Sequence, residues 1–148
     1  MTEANLQYSI TLARLWGTIG TTHISINAVS GGRAGSTNAN AVDHVVANNV
    51  LKMGQKTNHA KGIHGGPLPI GRYTISAAAQ HPHLGLSARL TPTTGGLTFG
   101  MLDRSGFLIH GRGSHGSDGC IVPVTAAEFQ RLMKELKAIS GGELTVWP

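Results

Sequence analysis

Cysteine is almost missing from this chain of 148 residues, where Cys120 is the only one. A lone thiol cannot close an internal disulfide, so a bridged scaffold is excluded. Aromatic residues make up 5% of the chain, so the core must rest mainly on Leu, Ile, Val and Ala. Charged residues reach only 13%, too few for a helical bundle with solvated charged faces. No run of even three Lys or Arg occurs, and no aromatics are interleaved among them, which disfavours a nucleic-acid surface. No stretch approaches the roughly 20 apolar residues of a membrane span, so membrane insertion is not expected. The start, Met1 to Gln7, lacks the basic and apolar regions of a signal peptide. Synthesis as a soluble protein in the cytoplasm is therefore expected, with any export by another route.

What is present is glycine, at 21 residues, and a net charge of +5. Many glycines and 40% hydrophobic residues suit short strands joined by tight turns. The length argues for a single domain over residues 1–148. Tyr8 to Trp16 and Thr22 to Val29 alternate as strands do. Gly71–Ser76, Leu86–Pro92, Gly106–His110 and Glu143–Trp147 read as further strands. Ala41–Met53 is ambiguous: Val42, Val45, Val46, Val50 and Leu51 fit a helix face, yet the β-branched residues disfavour one. One helix is clear. Thr125 and Glu128 have capping-box spacing, Phe129, Leu132, Met133 and Leu136 form an apolar stripe, and Gly141 and Gly142 should end it. The fold class is therefore mainly β, a compact sandwich or barrel with one or two helices. Tyr73, Trp16 and Trp147 read as packing residues, and His81-Pro-His83 as a solvated turn.

The chemistry concentrates in Phe107–Pro123. A strand delivers His110, and nine residues carrying Gly111, Gly113, Gly116 and Gly119 turn the chain back to Cys120. A thiol attacks as thiolate, and a histidine within hydrogen-bond reach can take its proton and later protonate a leaving amine. Backbone N–H groups around Gly119, Cys120 and Ile121 can face an oxyanion. Ser117 and Asp118 can bind a substrate amine or brace the loop. Arg112 can meet a carboxylate, and His115 can line the cleft. The competing reading makes Cys120 a small buried hydrophobe and His110 a structural residue. His59, His64 and His110 invite a zinc reading, but no His-Glu-x-x-His occurs, and no metal is expected.

Ile109-His-Gly111 with Ser117-Asp-Gly-Cys-Ile121 resembles the signature of the YkuD-type L,D-transpeptidase family. Gly66–Ile75 resembles that family's Pro-x-Gly turn and following strand, and Ala28-Val-Ser-Gly31 its earlier turn. The patches occur in family order. Asp118 stands where most members carry histidine, and Val122-Pro123 replaces a common Arg or Asn. These departures look like a divergent branch found among type VI secretion effectors. The resemblance implies an L,D-transpeptidase catalytic-domain fold and action on peptidoglycan tetrapeptide stems in a target bacterium's periplasm. It implies Cys120 as nucleophile, His110 as base, and donors near Gly119 and Cys120. Ser117, Asp118, Gly111, Arg112 and His115 would contact substrate. Water, a D-amino acid or a second stem would resolve the acyl-enzyme, without metal or cofactor. A cognate immunity protein is the implied partner. Two alternatives stand beside it. A thiol amidase of the NlpC type places cysteine before histidine, the reverse of the order here. A non-catalytic module would bind cell wall or a partner protein.

Overall fold

The computed structural model describes residues 2–93, 104 and 106–148. The first strand, β1 (Thr2–Ser9), turns Ala4, Leu6 and Tyr8 inward and Glu3, Asn5 and Gln7 outward. Three more strands follow the same two-residue period: β2 (Arg14–Ile19), β3 (Thr22–Ser30) and β4 (Gly71–Ile75). The short β5 (Ala79–His81) and β6 (Gly85–Pro92) form a hairpin. Then come β7 (Phe107–Ile109), β8 (Ile121–Pro123), the helix α1 (Ala126–Leu136) and β9 (Ile139–Trp147).

The strands join in the order β4-β9-β1-β2-β3-β8-β7-β6, and β6 pairs back onto β4. That last pairing closes the sheet into a barrel and removes its free edges. Most neighbours are antiparallel. The β1–β9 and β7–β8 pairs are parallel. Inside lie Leu6, Tyr8, Leu15, Ile26, Ile75, Ile109, Ile121 and Leu144, all buried. Helix α1 packs on β6 and β8 through Leu132, Met133 and Leu136.

Several sequence expectations hold. Thr125 Oγ1 accepts from Glu128 N at 3.2 Å and caps α1, and Tyr73 is fully buried. Others need correction. Tyr8–Trp16 is not one strand, because the chain turns between Ser9 and Arg14, with Ala13 at φ 50°. Thr2–Ser9, unread as a strand, lies between β2 and β9 and pairs with both. Gly141 and Gly142 do not end the helix, which stops at Leu136. They lie inside β9, where the register slips by one residue between Thr2 and Glu3. A Cβ on Gly142 would stand 2.7 Å from the Ala4 Cβ, so the close strand approach requires glycine. Residues 41–53 form no α-helix. Side chains of Asn38 and Asn49 cap short 3-10 turns at Ala39–Ala41 and Val50–Lys52 instead. Trp147 is 51% exposed and donates its indole N–H to Gln7 Oε1, so it is not a core residue; Trp16 is half-buried.

Helix burial makes a quantitative expectation. Replacing the fully buried Leu132 with alanine costs about 2–5 kcal/mol in urea denaturation. Leu51→Ala, at a side chain 87% exposed, changes stability by about 0.5 kcal/mol or less. Equal effects would contradict the packing described.

Candidate active site

Strand pairing sets where His110 and Cys120 leave the barrel wall. Ile109 of β7 lies opposite Ile121 of β8, and the His110 N–H donates to the Ile121 carbonyl at 3.1 Å. Both isoleucines point into the barrel. The alternation then gives Leu108, His110 and Cys120 the other face. His110 and Cys120 are diagonal neighbours on it, one residue beyond the paired Ile109 and one before the paired Ile121.

The His110 ring is 3% exposed, and its Nδ1 lies 2.8 Å from the Gly111 carbonyl oxygen. Nδ1 must be the donor there, which leaves Nε2 as the basic nitrogen. Burial lowers the His110 pKa from its ordinary value, His81 adds to that, and the Gly111 carbonyl opposes it. Cys120 is half-buried, with Sγ 3.9 Å from the Gly106 oxygen and the Leu108 backbone in hydrogen-bonding reach. Desolvation pushes its thiol up to about 11; Leu108 and Arg104 pull it down, and Asp118 pushes it further up. No hydrogen bond joins Sγ to the imidazole at rest. At neutral pH the thiol is therefore protonated and the imidazole is uncharged.

The turn before the thiol is held on all sides. Ser30, fully buried at the end of β3, donates to the Gly119 oxygen at 3.2 Å and accepts from Leu68 N at 2.9 Å. A trans peptide then directs the Cys120 N–H the opposite way. That N–H has no hydrogen-bond partner among the described residues, so it is free to meet an oxyanion. The Gly119 N–H is not, because Ser117 Oγ accepts it at 3.2 Å. Gly119 itself sits at φ 139°, and a Cβ there would lie 2.6 Å from Arg104 Nη2.

Ser117 is 1% exposed. Its hydroxyl accepts from Gly31 N and Gly119 N and donates to the Cys120 oxygen, which makes it a brace. Asp118 Oδ2 accepts from Thr57 Oγ1 at 3.1 Å, while its shielded Oδ1 has no partner among the described residues. His115 is exposed and shares a cleft of about 570 Å³ with Arg33, His59, His64 and Asp118. His110 does not line that cleft, so the zinc trio of His59, His64 and His110 does not converge. Arg112, exposed, donates to the Ser36 oxygen at 3.4 Å and borders a separate cleft with Gly111 and Phe129. Ser117 and Gly119 thus both face the turn's support.

Two supporting residues escaped the sequence reading. Arg104 is buried, with its guanidinium 5.3 Å from the centre of the Phe107 ring. It donates to the carbonyls of Met53, Pro67 and Gly66, and to that of Asp118 at 2.9 Å. Nothing in sequence separates such an arginine from a surface one. Ser30 carried a signal: Ile24, Ile26 and Ala28 face inward, so the same phase places Ser30 inside. His81, read as part of a solvated turn, is half-buried and lines a cleft with Gly106 and Leu108, the residues flanking the thiol.

The pKa directions have a measurable consequence. The rate of Cys120 alkylation by iodoacetamide should climb steadily through pH 8–10, as expected for a thiol ionising near 11. A flat, fast rate between pH 5 and 8 would reveal a preformed thiolate–imidazolium pair and contradict the neutral resting state.

No protein-family model matches the sequence, and no curated protein matches it. Solved structures do. An L,D-transpeptidase from Mycobacterium smegmatis superposes with TM-score 0.50 at 12% identity, over 99% of this chain and 59% of that one. An L,D-transpeptidase from Xylanimonas cellulosilytica gives TM-score 0.53 at 13% identity, over 99% and 62%. The helical cell shape determining protein Pgp2 from Campylobacter jejuni gives 0.52 at 11%, over 98% and 47%. The chain thus spans about half to three-fifths of the length of these structures. It has the mainly β fold of L,D-transpeptidase catalytic domains.

Proposed function

We propose that the protein is a cysteine acyltransferase of peptidoglycan, acting on tetrapeptide stems as an L,D-transpeptidase or L,D-carboxypeptidase. One observation carries this reading. A thiol and an Nδ1-anchored imidazole share one face of the β7–β8 pair, beside a free backbone N–H, on an L,D-transpeptidase fold.

In this scheme the substrate's third-residue carbonyl enters the cleft over Cys120. His110 Nε2 takes the thiol proton as Sγ bonds to the carbonyl carbon. The Cys120 N–H stabilises the oxyanion. Collapse breaks the C–N bond, and the imidazolium returns its proton to the departing D-alanine amine. Water, a D-amino acid or a second stem's amine then attacks the thioester and gives up a proton to His110, and Sγ leaves. Because the thiol is neutral at rest, proton transfer must accompany attack. Ser117 and Arg104 hold the turn while this happens; Asp118 and His115 line one neighbouring cleft, and Arg112 and Gly111 another. No metal or cofactor enters the scheme.

The Ser117–Ile121 turn, with Asp118 before Gly119, further supports the role of a type VI secretion effector. Such a protein would act in the periplasm of a rival cell, and its producer would carry an immunity protein.

The test joins chemistry to effect. Directed to the periplasm of a susceptible bacterium, the wild type should arrest growth and deplete tetrapeptide muropeptides by mass. Cys120→Ala should do neither, and His110→Ala should lower purified activity by about 10²–10⁴-fold. Tetrapeptide loss that persists in Cys120→Ala would overturn the reading. Unchanged muropeptides with retained sacculus binding would favour a binding module.

A further inference from the structure

A cleft of about 370 Å³ is walled by His81, Arg89, Thr91, Gly106 and Leu108 among others, and the last two also neighbour the Cys120 thiol. Its size falls within the range of small-ligand sites. Among the described residues its wall holds two nitrogen donors and no carboxylate.

Arg89 lies in β6 directly opposite Leu108 of β7. Leu108 in turn neighbours the Cys120 thiol. Two strand spacings, roughly 10 Å, therefore separate the Arg89 and Cys120 backbones. Arg89 is exposed, and the bonds recorded for it use its backbone, leaving the guanidinium without a partner among the described residues. His81 is fixed differently. Its Nδ1 accepts from the backbone N–H groups of His83 at 3.1 Å and Leu84 at 3.3 Å. The protonated ring nitrogen is then Nε2, a donor for the cleft. The ring also lies close enough to His110 to influence it.

A planar guanidinium and an N–H donor, unopposed by any acid among the described residues, match a carboxylate. The separation sets where that carboxylate lies. One residue spans about 3.8 Å between successive Cα atoms. The remaining distance to the Arg89 backbone is within reach of an extended arginine side chain.

We propose that Arg89 and His81 bind the C-terminal carboxylate of a peptide whose penultimate carbonyl Cys120 attacks, so that the protein acts one residue from a free chain end. This rests on the reading of Cys120 as the acyl acceptor. It makes the cleft a gauge of chain length: a longer peptide puts a neutral amide where the carboxylate belongs.

The experiment compares a synthetic stem tetrapeptide bearing a free C-terminal carboxylate with its C-terminal amide. The wild type should favour the free acid tenfold or more in kcat/KM. Arg89→Gln should lower kcat/KM for the acid, chiefly through KM, and close the gap between the two peptides. Arg89→Lys should restore part of it, and His81→Gln should narrow it. The exposed position of Arg89 makes misfolding no explanation, and equal thermal melts verify this. Equal cleavage of acid and amide by the wild type would overturn the carboxylate site while leaving Cys120 as acyl acceptor. So would an Arg89→Gln variant that keeps the full preference. Cleavage of neither peptide would overturn both readings together.

Discussion

Ile109 and Ile121 sit side by side in two three-residue strands that run in the same direction. Parallel neighbours require a connection that crosses back, and here the crossing is the glycine-rich loop itself. Because the two isoleucines are committed to the barrel interior, the residues beside them are committed to the other face. His110 follows one and Cys120 precedes the other. Burial of two apolar side chains therefore fixes where His110 and Cys120 leave the β7–β8 pair.

The turn gains its rigidity from residues that touch no substrate. Tyr8 donates to the Ala28 carbonyl and accepts from Asn48, and Asn48 accepts from the Ser30 backbone. Ser30 then fixes the Gly119 carbonyl. A chain of hydrogen bonds thus runs from the barrel core to the peptide preceding the thiol. Arg104 ties the opposite side of the turn to the loops around Met53 and Gly66. Its charge lies near a thiol that burial keeps protonated, and pulls in the opposite direction. Burial outweighs that charge, so the thiol stays protonated at neutral pH.

The mainly β fold class was legible in the sequence, but the bounds and order of its strands were not. His110, Cys120 and the glycines between them carry residue types that few roles share, so they marked one candidate site. The N-cap at Thr125 was equally plain. By contrast β8 is only three residues long and ends at Pro123, too short for any periodicity. Thr2–Ser9 does alternate, but Tyr8 was read as a beginning when it is near an end. Gly141 and Gly142 carried the composition of a helix stop and the job of a close strand approach. Ser117 and Gly119 were recognised as important, yet only coordinates separate a hydroxyl that braces from one that binds. Arg104 and Arg89 look alike in sequence, although one is buried under four carbonyls and the other faces a cleft.

Trapping the covalent intermediate is the direct trial of the central claim, that Cys120 becomes acylated with His110 as its proton acceptor. The protein would be mixed with a stem tetrapeptide, quenched in acid within milliseconds to seconds, and analysed by intact and peptide mass spectrometry. The account predicts a tripeptide acyl increment located on Cys120, slower to form in His110→Ala. Substrate turnover with the increment on another residue, or with no increment at any time, would contradict it.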